Sequence, residues 1–344
     1  MKGTCARLKN LGLGLLRGLR GGWALVQTVK MLYREMNVVL SGIRLFRTCA
    51  SSRCNFAVIA RNTHRLEKGL IMRPRRDVFA LDYIEETVKA YEAALTAAQN
   101  GKQGLPPEQL QWTYDVLAEY FSVTGSHPKI DPLRERFRTL PRPPKVSDIP
   151  LVPYRRDLSQ PPPVSYESLL ALAQRRRSVR WFLPKPVPRE LLDKALEIAA
   201  LSPSACNRQP FVFRIFDEPE LVRQVASIPY GMIGYEHQIP VIVVVVGQLR
   251  HFFDPRDRHL IYIDAALAVM SFILALETLG LSSCCINWPD VPDREKQMAT
   301  LLKLEPDERP VMLVAVGWPD PEGLVPRSVK KPLSQLRRYN FENP

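Results

Sequence analysis

The 344-residue chain is 46% apolar and 24% charged, the proportions of an ordinary folded protein, which excludes a disordered or low-complexity polymer. Its length accommodates one large domain with an appendage, or two domains. The net charge of +13 is concentrated at one end: Met1–Arg76 holds 16 Lys and Arg against only Glu35 and Glu67, and the remainder is close to neutral.

Six cysteines and five histidines fall in no zinc-like spacing, so no metal site is expected. A reducing, cytoplasmic compartment suits such cysteine usage. No run of 18 uninterrupted apolar residues occurs, which argues against a spanning helix, and Leu11–Leu16 is too short and too glycine-broken for a secretory core. Trp23–Leu45 mixes apolar residues with Lys30, Arg34 and Arg44 at helical spacing. This predicts a cationic amphipathic helix that either packs on the protein or lies on an anionic membrane surface through residues 1–76. Nucleic-acid binding is not expected, because the basic segment lacks interleaved stacking aromatics.

Next, His64 and Glu67 share a helical face, most simply as a surface pair. Helices are predicted over Asp82–Gln99, closed by Asn100-Gly101, and over Pro107–Phe121. From Pro128 to Pro163 prolines crowd the chain, predicting an extended strap. The expected divisions are a basic helical extension at 1–127, a proline-rich linker at 128–164 and a second domain at 165–344. Beyond Ser165 helices and strands alternate. Helices are predicted at Tyr166–Gln174, Arg189–Leu201, Pro219–Ile228, Leu260–Leu279 and Asp293–Leu302, and strands at Phe211–Phe216, Pro240–Gly247, Ser283–Asn287 and Pro310–Gly317. The Val-Ile-Val-Val-Val-Val of the second strand reads as buried on both faces.

Two stretches carry chemistry. Arg175–Arg180 places fixed cations and the Ser178 hydroxyl where a helix ends, and guanidinium forks match phosphate oxygens. Ser202–Pro210 gathers small residues, Asn207 and a proline, so that backbone donors can approach a flat polar ring. Cys206 reads as a redox thiol or a small buried filler, and Tyr230 and Tyr235 as stacking or rim residues. No triad pattern or dedicated catalytic residue is found.

Arg176–Phe182, Pro186–Pro188, Ala199–Ser204 with Asn207, Gln209 and Pro210, Leu279–Leu281 before Ser283–Asn287, Val314–Pro319 and Lys331-Pro332-Leu333 occur in an order that resembles the FMN-dependent nitroreductase family over about Ser165–Tyr339. The resemblance implies an α+β fold, a mixed or antiparallel central sheet flanked by helices, here with a helical N-terminal extension. It also implies a homodimer holding FMN between subunits. By that resemblance Arg176, Arg177, Ser178 and Arg180 hold the ribityl phosphate and pyrimidine edge. Pro203, Ser204 and Asn207 approach the ring from the partner chain. Cys285, Ile286 and Asn287 lie at its reactive face, and Arg327 with Lys330 or Lys331 closes on the phosphate. The implied activity passes electrons from NAD(P)H through FMN to a nitro, quinone or similar small acceptor. Dehalogenating or dehydrogenating relatives share these motifs, and a membrane-surface or scaffold protein with a vestigial flavin fold is the alternative from another class. Gln248–His259 is too short for a substrate lid, so the N-terminal segment or the proline strap is expected to cover the cleft instead. The expected location is cytoplasmic, with possible peripheral membrane contact.

Overall fold

The structure, a computed structural model, describes residues 2–48, 52–100 and 105–341. Cys49 and Gly101 lie outside these residues, and the side chains of Cys5, Trp23 and Cys54 lie outside the described ones. Two units follow one another. The first contains α1 (Lys2–Thr48), α2 (Ser52–Leu70), α3 (Ile84–Gln99), α4 (Pro107–Val123) and α5 (Asp131–Thr139).

Helical spacing builds the core of this unit. Ile84, Val88, Tyr91 and Leu95 line one face of α3, and Leu110, Thr113, Val116, Leu117 and Tyr120 line one face of α4. All of these except Thr113 meet Ile59 and Leu66 of α2 in one apolar cluster. Pro107 opens α4 at a position where the missing N–H has no cost.

The strap begins later than the proline content predicts. Asp131 starts α5 by accepting from Ser126 Oγ (2.7 Å) and His127 N (3.1 Å), as an acid at a helix N-terminus does. Phe137 then enters the core against Tyr114 and Phe121, with ring centroids 5.2 and 5.3 Å away. Only from Leu140 is the chain extended. It lies along α4, where Gln111 Oε1 accepts from Val146 N (2.7 Å) and Asp115 Oδ2 from Leu151 N (2.9 Å).

The second unit runs α6 (Tyr166–Arg175), α7 (Arg189–Ala200), β1 (Phe211–Phe216), α8 (Pro219–Ala226), β2 (Val241–Gln248), α9 (Leu260–Thr278), β3 (Ser282–Asn287), α10 (Pro292–Leu302), β4 (Glu308–Gly317) and α11 (Leu333–Leu336). The named strands form an antiparallel sheet in the order β1-β2-β4-β3. Alternation along the strands gives each face its own core. Ile242, Val244, Val246, Leu313, Ala315, Cys284 and Ile286 pack against α8 and α10. Val241, Val243, Val245, Val314 and Val316 pack against α7 and α9. The fold is α+β with helices on both faces of the sheet. Pro255–Thr278 is long and apolar enough to cross a membrane, but half of its most apolar 18-residue window is buried and α9 is the helix covering the sheet.

The Gln248–His259 connection is a buried joint only in its first half, Leu249–Phe252, while Pro255, Arg256, Arg258 and His259 are exposed, as its charge suggests. Arg250 donates from N and Nε to Asp307 Oδ2 (2.8 Å each) and from Nη2 to Oδ1 (2.5 Å), with both residues buried. The first unit docks here. Gly42 of α1 is needed because a Cβ would lie 2.6 Å from that of Leu249, and Phe56 of α2 meets the His251 ring edge-on at 6.2 Å.

Burial, reinforced by neighbouring Arg250, pushes the His251 imidazole down to about 4 from its ordinary 6.5. A depressed folded-state value means that this stability is complete above pH 6.5 and is lost as pH falls toward 4. The melting temperature should therefore drop across that window, and His251→Gln should flatten the drop in circular-dichroism melts at successive pH values.

Candidate active site

The arginine-rich segment leaves α6 and runs along the edge of the sheet, joined to it by isolated bridges. Ser178 forms a parallel bridge with Ser283, Val179 N donates to Ser283 O (3.0 Å), and Val179 is buried in the core. Gln238 completes the register: its side-chain oxygen accepts from Phe182 N (2.7 Å) and its amide donates to Arg180 O. Leu183 N then donates to Trp318 O (2.9 Å) and Asp320 N to Trp181 O (3.1 Å). Gly317 permits this crossing, since a Cβ there would lie 2.6 Å from Pro240 and 2.8 Å from the Phe182 ring. The zipper brings the segment after β4 back alongside the arginines.

The result is a cleft of ≈ 710 Å³ lined by Arg176, Arg177 and Ser178 from one segment and Val325–Lys330 from the other. Among the described residues no carboxylate pairs with Arg176, Arg177, Arg180, Arg327 or Lys330. The Arg177 guanidinium reaches Arg176 O (3.0 Å), and that of Arg180 reaches Ser178 O (3.4 Å) and lies 5.9 Å from the Tyr235 ring centre. The lining set, the cations Arg176, Arg177, Arg327 and Lys330 with the Ser178 and Ser328 hydroxyls and no internal counter-ion, suits a dianionic phosphate. Lys331 stands exposed beside the cleft and does not line it.

Strand β3 forms the adjoining sheet edge. Cys285 and Asn287 are exposed on the face that α9 covers elsewhere, while Ile286 points into the opposite core. Although Cys285 is exposed, enough protein surrounds its sulfur to push the thiol up to about 11, with Arg176 pulling the other way. It is a protonated thiol at neutral pH and not an activated nucleophile. Cys284 is buried beside Tyr235, whose hydroxyl donates to Gly231 O (2.9 Å). Tyr230 is half-exposed, with Arg294 4.7 Å from its ring centre.

The second predicted stretch does not line that cleft. Pro203, Ser204 and Asn207 lie in a loop continuing from α7, and Cys206, Asn207 and Gln209 have φ of 53°, 52° and 45°. Three left-handed non-glycine residues in so short a span are strained and persist only when their surroundings over-determine them. Here Ala205 N donates to Asp264 Oδ2 of α9 (3.0 Å), Gln209 N donates to Ser204 Oγ (3.1 Å), and the buried Arg208 donates from Nε to Ala205 O (3.0 Å). Helix α2 packs on the loop from outside. The Asn207 amide has no side-chain hydrogen bond among the described residues, which leaves it available to a ligand or a partner.

Sequence reasoning missed Gln238, Asp264 and Arg208. Asp264 had a signal, being an acid inside an apolar helix that must find a partner when buried. Gln238 had none, because its role depends wholly on a segment 56 residues away.

Residues 173–233 and 236–318 match the sequence profile described as the Nitroreductase family. A putative NADH dehydrogenase/NAD(P)H nitroreductase of Methanothermobacter thermautotrophicus is 26% identical over 157 residues, 45% of this chain and 80% of that protein. Human iodotyrosine deiodinase 1 is 23% identical over 193 residues, 48% of this chain and 66% of that protein. Among solved structures, an FMN-dependent nitroreductase from Clostridium difficile shares 22% identity with a TM-score of 0.43, covering 50% of this chain and 99% of that one.

Burial raises the Asp264 carboxyl above its ordinary range. An acid raised by folding lowers stability once pH exceeds that shifted value. Asp264→Asn keeps an acceptor for Ala205 N and removes the charge, so it should match or exceed the native melting temperature at neutral pH. Asp264→Ala leaves that buried donor unpaired and should lose about 1–3 kcal/mol in denaturant titrations.

Proposed function

We propose, from the premise that residues 173–233 and 236–318 form a nitroreductase-family domain, that this chain is an FMN-dependent oxidoreductase passing electrons from NAD(P)H to a small acceptor. The observation that carries the reading is the uncompensated cationic cleft, whose Arg176, Arg177, Ser178, Arg327 and Lys330 come from two segments far apart in sequence. These residues hold the phosphate of the cofactor, and Arg180 favours negative charge near its pyrimidine end. The chemistry that FMN supplies when bound is hydride acceptance at N5 and delivery of the electrons to a second substrate. The protein's part is to bind, orient and exclude water. The Cys285–Asn287 edge walls the cofactor, with the Cys285 thiol protonated and outside the bond-making.

The working unit is a homodimer. Leu169 and Leu170 of α6, Ile198 of α7, Leu201 just beyond it, and Ile263, Leu267 and Met270 of α9 are all exposed, an apolar surface of the kind that marks an interaction site. A second copy seated there brings its own Pro203–Gln209 loop to the cofactor and supplies the Pro203, Ser204 and Asn207 contacts. Nitro compounds and quinones are the leading acceptors. Reductive dehalogenation is the second reading, favoured by the similarity to iodotyrosine deiodinase 1.

The purified protein should be yellow and release FMN on heating; a colourless protein that takes up no added FMN would end this reading. Arg177→Gln should weaken FMN binding by about 10- to 100-fold, the effect of one charge-assisted hydrogen bond, measured by flavin fluorescence quenching. Met270→Asp should yield monomers in light scattering and lose flavin with them. Parallel assays with a nitroaromatic, a quinone and a halogenated phenol would rank the acceptors.

A further inference from the structure

We infer that the outward face of α1 is a docking surface for an anionic lipid bilayer. The helix is held by its other side. Arg34 pairs with Glu295 of α10 (2.5 Å), Glu35 with Arg258 (3.4 Å), Gly42 packs on Leu249, and the Phe46 and Phe253 rings lie 6.1 Å apart. These contacts fix its rotation about its own axis and so decide what it presents outward.

What it presents is apolar. Leu25, Val29, Leu32, Tyr33, Met36 and Leu40 are each 40% or more exposed. At about 100° per residue they fall within an arc of about 100°, whose centre lies about 90° to 150° around the helix from the docked residues. Packing of this helix on its own chain therefore accounts for one face and leaves a second apolar stripe uncovered. A monomer rarely exposes such a contiguous patch without a use for it.

Charge selects the occupant. Lys2–Thr48 carries nine Lys and Arg, of which Arg34 is taken up by Glu295, and one acid, Glu35, which is turned toward Arg258. The excess continues beyond the helix: Lys68, Arg73 and Arg76 line a cavity of ≈ 440 Å³ on the same unit and pair with no carboxylate among the described residues. Two copies joined through this stripe would bring like charges together. An anionic leaflet attracts the same cations and accepts the apolar stripe beneath its headgroups, each basic residue adding to the attraction.

The surface is independent of the flavin reading, so either can fail alone. The full-length protein should sediment with vesicles containing about 30% phosphatidylserine in phosphatidylcholine and not with phosphatidylcholine alone, and binding should fall steeply between about 0.05 and 0.5 M salt. The triple variant Leu25→Asn, Leu32→Asn, Met36→Asn should bind these vesicles at least about tenfold less tightly while keeping the native melting temperature, because all three side chains face away from the protein. Ile149→Asn, an equally exposed apolar residue on the strap, should bind like the native chain. Failure to bind anionic vesicles, or binding unaffected by the triple variant, would overturn the proposal. So would a concentration-dependent oligomer that the triple variant dissolves without any vesicle binding, which would make a second copy the occupant.

Discussion

A sheet covered by helices on both faces leaves chemistry only its edges, and the rest of the second unit follows from that constraint. Val241–Val246 are buried without exception, and their neighbours on β4 are nearly as closed. A polar group placed there would need a buried partner that the helices above and below do not offer. The polar residues of the candidate site accordingly gather where the cover ends: on β3 at Cys285 and Asn287, on the Ser178 segment that runs along the sheet edge, and on the chain after β4.

The same economy explains why the polar residues that are buried come in closed sets. Arg250 and Asp307 satisfy each other through three hydrogen bonds and hold the connection after β2 against the start of β4. Removing one partner of such a pair strands a buried charge, which is far more damaging than the pair is stabilising. Asp264 and Arg208 play a comparable part for the 203–209 loop, bracketing Ala205 from its N–H and its carbonyl. The first unit leans on both sets, with α1 on the Leu249–His251 turn and α2 on the loop itself. The extension thus braces the 203–209 loop and the turn after β2, neither of which lines the cationic cleft, and the strap packs on α4 around Val146–Leu151.

Local periodicity carried most of the fold. Strand Phe211–Phe216 and the α9 run were readable to within a residue because their apolar pattern is dictated by burial on the sheet. The order of the arginine, Ser-Pro-Ser and Val-Ala-Val-Gly-Trp-Pro motifs was enough to name a family resemblance, and the concentration of positive charge before Arg76 was evident from composition alone. Helix α5 was hidden because the prolines around it dominate the local composition, and only Phe137 meeting Tyr114 and Phe121 makes a helix of it.

What the sequence by itself determined is therefore the elements, the charge asymmetry and the cations and hydroxyl that suit a phosphate. Only the tertiary structure decided that Arg176–Ser178 and Arg327–Lys330 share one cleft, that Asn207 stands apart from it on a strained loop, and that α1 docks by one face and exposes another. The physical reason is the same in each case. Helical and strand propensity act between residues a few positions apart, whereas a cleft, a loop clamp and a docked helix are set by side chains meeting across tens to hundreds of positions, as Gln238 meets Phe182 and Asp264 meets Ala205.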